Sequence, residues 1–118
     1  MKKFLAVYTG STAARERSGF DQLKEADRKS LEQKGIAAWI AWGEKNKASI
    51  VVPGGPLGKT KRTGPNGITD IKNNLAGYIV VQAETHEDAA KMFEGHPHFA
   101  IFPGEAVEIV EMLPMPGQ

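Results

Sequence analysis

Cysteine is absent from the 118 residues of this chain. The absence excludes disulfide bonds, a thiolate nucleophile and cysteine-ligated zinc sites. Because disulfide bonds are typical of secreted proteins, a chain without cysteine also agrees with a cytoplasmic location, which is our expectation.

A strong excess of one charge is absent as well, since 15 basic and 14 acidic side chains leave a formal net charge of +1. The densest basic cluster, GKTKR at residues 58–62, contains no aromatic residue. Nucleic-acid binders usually combine a basic stripe with aromatic side chains. The sequence therefore predicts no nucleic-acid partner.

Long apolar runs are also missing. The run FLAVY at residues 4–8 is shorter than the roughly 7–15 apolar residues of a signal peptide, and no run approaches the ~18 residues of a membrane span. We expect no membrane association, and the run predicts a first strand over residues 3–9.

The composition that is present is typical of a globular domain, with 41% hydrophobic and 25% charged residues. A chain of this length is expected to form one domain over residues 1–118. Its predicted parts are a polar connection at 11–29 (a short helix or a lid), a main helix at 30–46, strands at 49–53, 76–83 and 106–113, a second helix after Thr85 and a tail at 114–118. Residues 58–75 stay open between a strand, a hairpin and a long loop.

This order of elements predicts an α+β fold, a ferredoxin-like plait whose antiparallel sheet carries two helices on one face. The other face would remain uncovered, and a large apolar face is typical of an interaction surface. We therefore expect a homodimer that forms through the sheet.

Ser30 and Gln33 have the spacing of a capping box at the start of the main helix. Gly35 and Gly43 within this helix indicate close approach by other groups.

The segment GGPLGKT at 54–60 is close to the phosphate-binding pattern G-x-x-x-x-G-K-[ST], but Pro53 occupies the place of its first glycine. The pattern also needs a helix directly after it, which the polar residues that follow cannot begin. We interpret Gly54, Gly55 and Pro56 as a turn at the end of a strand, where a ligand can approach the backbone closely.

Histidine is suited to acid–base chemistry near neutral pH, and EGHPHF at 94–99 holds two of the three histidines. His96 precedes Pro97 and is biased to extended backbone, so His96 and His98 would face the same side. A metal ion would need a third ligand that the sequence does not identify, so we predict neither a metal site nor a cofactor. The alternative is that both imidazoles bond to carbonyl groups in a loop that leaves the second helix.

Four further residues are candidates for a ligand site. Trp39 and Trp42 lie beside a glycine and could form a flat apolar wall, although core packing is the usual role of helical aromatics. Tyr78 is another candidate wall. Asp70 is a functional candidate if its carboxylate is buried, and a solvated hairpin residue otherwise.

The segments AGYIVVQAETHEDAAKMFEGHPHF (76–99) and EAVEIVEML (105–113) resemble the YCII-related family, in particular its DGPF-type members. FLAVYTG (4–10), the W-x-x-W helix and VVPGGPLG (51–58) fit as well, so the resemblance spans most of the chain. It implies a ferredoxin-like plait of the dimeric α/β-barrel superfamily, usually a homodimer. Some YCII members are lyases or dehydrohalogenases with a His–Asp pair whose histidine shortly follows the first strand, and residues 9–30 contain no histidine here.

A pocket between the main helix and the sheet is therefore expected, formed by the candidate residues Gly54, Gly55, Pro56, His96, His98, Trp39, Trp42 and Tyr78. Three functions remain open at this point. An enzyme would use His96 or His98 as acid or base on a small anionic or aromatic metabolite. A non-catalytic module would bind such a ligand and report it to a partner, and a structural dimer would bind none.

Overall fold

The structure, a computed structural model, describes residues 1–117. Its elements are β1 (Lys2–Thr9), α1 (Thr12–Ser18), α2 (Glu25–Lys45), β2 (Ile50–Pro56), β3 (Thr60–Gly64), β4 (Gly67–Ile71), β5 (Leu75–Ala83), α3 (His86–Lys91), α4 (Pro97–Ala100) and β6 (Ala106–Glu111). Two 3-10 turns, Phe20–Gln22 and Lys47–Ser49, precede α2 and β2. Within this part of the chain, no helix is both long and apolar enough to cross a membrane.

Four strands form one antiparallel sheet in the order β2-β5-β1-β6. This is the strand order of a ferredoxin-like plait, and the predicted fold class is confirmed. β1 and β2, which a helical crossover joins, are not neighbours, because β5 lies between them. β3 and β4 pair with each other as a separate two-stranded hairpin.

Alternation along β1 separates the two faces of the sheet. Phe4, Ala6 and Tyr8 are buried on the face that carries the helices. There they belong to a core that also contains Ala89 and Phe93, and Trp39 and Trp42 of α2 pack against it.

The opposite face of the sheet, here called the outer face, is apolar as well. Strand register places Leu5, Val7, Val52, Val80 and Val110 in its middle. The same register also places Tyr78 and the polar residues Lys3, Gln82 and Glu108 on this face. Val52 and Val110, on the two edge strands, are 41% and 50% exposed. The outer face is therefore apolar and only partly covered within residues 1–117.

The main helix begins at Glu25, and the capping box predicted at Ser30 is wrong. Lys24 precedes the helix with an extended backbone and makes no side-chain cap. Glu25 and Asp27 place negative charge in the first turn, where the helix dipole favours it. Strong helix formers between these residues and Ser30 then extend the helix without a cap.

Two other predictions for irregular segments can be compared with the structure. Residues 11–29 contain α1, whose N-cap Ser11 accepts a hydrogen bond from the Ala14 N–H, and they also include the start of α2. Residues 58–75 form the β3–β4 hairpin. Close approach is confirmed at Gly35, where a side chain would meet the Phe102 ring, but it is wrong at Gly43, which has no atom within 4 Å of a Cβ.

The end of β2 corrects the predicted turn. The strand continues to Pro56 through a register irregularity between Val52 and Gly55. Gly54 has a φ of +62°, and a Cβ there would meet the main-chain carbonyl of Tyr78 on β5. Glycine therefore permits a bulge that lets β2 stay paired with β5, and no turn forms.

The Gly54→Ala variant tests this account of the bulge. We expect its free energy of unfolding to fall by about 2–4 kcal/mol, because alanine combines a strained positive φ with a clash against a carbonyl. Gly55→Ala is the matched control, since a Cβ at Gly55 has no neighbour within 4 Å. Urea denaturation measures both, and equal midpoints for the two variants would contradict the strain at Gly54.

Candidate functional site

A cavity of about 270 Å³ opens between α2 and the ends of β1, β2 and β5. Its volume lies near the lower limit of ligand pockets, which span roughly 300–1,000 Å³. Gly77 helps to keep this space open, because a Cβ there would lie 3.3 Å from the Tyr8 ring. The lining residues are Tyr8, Trp39, Pro53, Gly55, Pro56, Ala76, Gly77, Tyr78, Ile79 and His98.

Tyr8, a lining residue, carries the first polar group near the cavity. Alternation along β1 directs its ring to the helix face, where the residue is 5% exposed. Its hydroxyl is buried and has no hydrogen-bond partner within residues 1–117. Burial raises the pKa of Tyr8 to about 12, so the hydroxyl keeps its proton and remains a donor at physiological pH.

His98 supplies the second polar group, and its ring is fixed in place. Pro97 occupies the first turn of α4, where the missing N–H costs nothing, so His98 is helical and buried. Its Nε2 lies 2.7 Å from the carbonyl oxygen of Thr9. A carbonyl only accepts, so Nε2 carries the proton, and in the neutral ring Nδ1 keeps a free lone pair.

His96 lies behind the cavity and does not line it. It is 1% exposed, and its ring centroid is 4.5 Å from that of Trp39 and 4.8 Å from that of Trp42. Its Nδ1 accepts a hydrogen bond from the His98 N–H at 3.0 Å and so caps α4. The proton of the neutral ring is therefore on Nε2, which is buried without a partner.

The surroundings of His96 favour its neutral form. Burial among aromatic rings, and secondarily the nearby His98, lower the pKa of His96 from 6.5 to about 4. A proton added to this ring would also remove the acceptor that caps α4. His96 therefore holds His98 in position as a neutral residue at physiological pH.

The predicted site residues divide into three groups. Five of them line the cavity: Trp39, Gly55, Pro56, Tyr78 and His98. Gly54 and His96 lie next to lining residues but contribute no lining themselves. The segment does not stay extended, because Pro97 begins a helix after His96. Both imidazole rings nevertheless pack against Tyr8 and Trp39.

Trp42 and Asp70 lie elsewhere. Trp42 donates its indole N–H to the Met92 carbonyl at 2.8 Å and packs against Phe93, so it belongs to the core. The Asp70 side chain is 82% exposed and pairs with Lys61 at 2.7 Å, as the solvated-hairpin alternative expects. It borders a separate open hollow of about 1120 Å³ at the base of the hairpin, which has no buried polar side chain in its lining.

Five lining residues were missed from sequence: Tyr8, Pro53, Ala76, Gly77 and Ile79. A signal existed for Tyr8, because it continues the buried alternation of Phe4 and Ala6 and ends in a polar hydroxyl just before Gly10. No local pattern marks Gly77, whose role depends on its position opposite Pro56 on β2.

The structure also bears on metal binding. Within residues 1–117, no group of three histidine, aspartate or glutamate side chains lies close enough together to hold a metal ion. The ring nitrogens of His96 and His98 that make hydrogen bonds are held by separate partners, the His98 N–H and the Thr9 carbonyl.

Comparison with known proteins supports the fold. No family model matches the chain, and no curated protein matches it. A solved structure of 5-chloro-2-hydroxyhydroquinone dehydrochlorinase from Burkholderia phenoliruptrix, in complex with 2,5-dihydroxybenzoquinone, is similar with a TM-score of 0.55 and 21% identity. The alignment covers 94% of this chain and 93% of that one. At this identity the likeness establishes the fold.

The pH dependence of stability tests the environment of His96. The unfolded chain takes up this proton near pH 6.5 and the folded chain only near pH 4, so stability is complete above pH 6.5 and falls as the pH decreases towards 4. In His96→Asn an amide oxygen replaces Nδ1 as the cap and cannot be protonated. We expect urea titrations to show that the free energy of unfolding decreases less between pH 7 and about 4.5 in the variant than in the wild type. The same slope in both proteins would contradict a buried neutral His96.

Proposed function

We propose that this protein is a YCII-related homodimer whose cavity binds a small aromatic or anionic metabolite and performs lyase-like acid–base chemistry through His98. The observation that carries the proposal is that two residues with polar side chains, Tyr8 and His98, line a mostly apolar cavity. The Tyr8 hydroxyl is an unpartnered donor, and His98 lines the same space with its ring fixed by Thr9. A few convergent polar groups in an apolar pocket are typical of a small-molecule site.

The two groups suit complementary roles. His98, with Nε2 donating to the Thr9 carbonyl, can accept a substrate proton at Nδ1. The Tyr8 hydroxyl can donate a hydrogen bond to an oxygen of the substrate on which negative charge develops. The flat indole of Trp39 in the lining favours a planar ligand.

The similar dehydrochlorinase supports this class of ligand. That enzyme was solved with a hydroxylated quinone, a planar ring that carries carbonyl and hydroxyl oxygens. A ligand of this kind offers an acceptor to Tyr8 and an acidic hydroxyl to His98. The small cavity volume agrees with a single ring.

A non-catalytic binding module is the second candidate, and one observation favours it. The His–Asp pair of the family's lyases has no counterpart here, because a main-chain carbonyl holds His98 and no carboxylate lines the cavity within residues 1–117. Without a carboxylate the imidazolium that forms after proton uptake is less stabilised. Such a protein would bind the ligand and release it unchanged.

Thermal-shift binding of 2,5-dihydroxybenzoquinone tests the cavity. We expect the ligand to raise the melting temperature of the wild type, and both Tyr8→Phe and His98→Gln to weaken binding by about tenfold or more, as expected when a hydrogen bond to a buried group is lost. Without ligand, Tyr8→Phe should be as stable as the wild type or more so, because it removes a buried unsatisfied hydroxyl. In His98→Gln an amide nitrogen can still donate to Thr9.

His86→Gln is the matched control for this binding assay. The His86 ring bonds to the Ile109 carbonyl outside the cavity, so its replacement should leave binding unchanged. Equal weakening by all three variants would contradict a site at Tyr8 and His98. Chloride release from 5-chloro-2-hydroxyhydroquinone then separates the two functions, since turnover abolished in His98→Gln supports catalysis, and binding without turnover in the wild type supports the module.

The homodimer is proposed from the outer face. Leu5, Val7, Val80 and their neighbours form an apolar surface on the side of the sheet away from the helix-covered core. Monomers rarely expose contiguous apolar patches of more than a few hundred Å², and packing two such sheets face to face buries both.

Sedimentation equilibrium tests the dimer. We expect a dimer at micromolar concentration, and dissociation in Val7→Lys, because a charge in the centre of a packed sheet interface is costly to desolvate. Lys34→Glu on the exposed surface of α2 serves as a control and should not change the mass. A wild-type protein that sediments as a monomer at these concentrations would refute the proposal.

A further inference from the structure

The β3–β4 hairpin extends from the sheet as an arm, defined here as residues 59–72. Within residues 1–117 its strands pair only with each other, and a lone two-stranded hairpin is at best marginally stable in water. Ile68, close to its tip, is 70% exposed. The radius of gyration of 16.4 Å exceeds the ~13.5 Å typical of a compact chain of this length. The arm therefore lacks the surface that would stabilise it.

The arm is strongly basic. It carries four basic side chains against a single acidic one, a net charge of +3. The acidic residue, Asp70, is already paired with Lys61. Lys59, Arg62 and Lys72 are exposed and make no ion pair with the described part of the chain. An acidic surface is the partner that these charges favour.

The opposite edge of the same molecule offers such a surface. The arm continues from β2, one edge strand of the sheet, and β6 is the other edge strand. Glu105, just before β6, and Glu108, on its outer face, are both exposed. Strand register aligns the end of β2 with the start of β6, because one row across the sheet contains Pro56, Gly77, Tyr8 and Val107. The two glutamates therefore lie at the end of the sheet from which the arm extends.

Symmetry limits how two copies can use these surfaces. When two outer faces pack with their strands aligned, the twofold axis that relates them runs either parallel or perpendicular to the strands. A perpendicular axis places the arm near the start of the partner's β2, where the exposed Lys45 and Lys47 outnumber the exposed Glu44. A parallel axis places it near the end of β6 that carries Glu105 and Glu108. Charge therefore selects the parallel axis.

We propose that the arm of one copy docks on the β6 edge of a second copy of this chain, with its basic side chains facing Glu105 and Glu108. The inference rests on the proposed dimer and adds which strands meet. It also concerns the site, because the base of the arm borders the cavity. The Leu57 N–H donates to the carbonyl of Ala76, a lining residue, at 3.0 Å.

Charge reversal tests the docking. The arm variant Lys59→Glu, Arg62→Glu, Lys72→Glu and the edge variant Glu105→Lys, Glu108→Lys are each expected to raise the dimer dissociation constant by about tenfold or more at low salt. Combining both sets in one chain restores attraction, and we expect the constant to return to within about threefold of the wild type. Sedimentation equilibrium at low and high salt measures all four proteins.

A matched control carries the same change in charge on the helix side of the molecule, with Lys29→Glu, Lys34→Glu and Lys45→Glu on α2. This protein should dimerise like the wild type. All the substituted residues are exposed, so circular dichroism should show folded proteins with similar melting temperatures.

The possible outcomes separate the two proposals. A monomeric wild type would overturn both the dimer and the arm. A wild-type dimer that both reversals leave unchanged, or that the combined chain does not restore, would overturn the arm alone. Weaker dimerisation in each charge-reversed variant, with dimerisation restored in the combined variant, supports docking of the arm on β6.

Discussion

A single main-chain carbonyl, that of Thr9, holds the candidate site together. It accepts a hydrogen bond from His98 Nε2 at 2.7 Å and another from the Glu105 N–H at 2.9 Å, so the end of β1, α4 and the start of β6 meet at one oxygen. Thr9 itself is 4% exposed, and both lone pairs of its carbonyl are used in an interior where an unpaired polar group is costly. Gly104 completes the arrangement, because any side chain there would collide with the His98 ring. The position of His98 therefore follows from the backbone of three elements and from a glycine.

The site contains polar groups that the fold leaves without partners. Unpaired buried atoms usually cost about 1–3 kcal/mol each, and both of the buried side-chain polar atoms that lack a partner within residues 1–117 belong to this region, the Tyr8 hydroxyl and His96 Nε2. Tyrosine and tryptophan rings surround both histidines and keep water away from them. Functional sites often contain groups that lower the stability of the fold. Tyr8 lines the cavity and His96 does not, so the proposed ligand would supply a partner only to the Tyr8 hydroxyl.

The fold could be predicted from the sequence because it depends on local patterns. Alternation in β1 and β5 defines the buried face, and Thr85 caps α3 by accepting from the Asp88 N–H, as its spacing predicts. The start of α2 was missed because helix propensity and charge replaced a side-chain cap.

Much of the site could not be predicted, because its contacts join residues far apart in the chain. Pro97 permits either an extended segment or a first helical turn. The structure has the helical turn, together with a hydrogen bond between His98 and Thr9, which lie 89 positions apart in the chain. The arm lacks a hydrophobic pattern, so the pairing of its two strands could not be predicted either.

Nitrogen-15 NMR of the two histidine rings tests the central claim most directly, because it reports which ring nitrogen carries the proton. For the neutral His98 ring we predict the proton on Nε2 and a free lone pair on Nδ1 before 2,5-dihydroxybenzoquinone is added. The ligand should then shift the His98 Nδ1 resonance, and His96 should stay neutral with its proton on Nε2. A His98 ring protonated on Nδ1 in the free protein, or a Nδ1 resonance that the bound ligand leaves unchanged, would contradict the account.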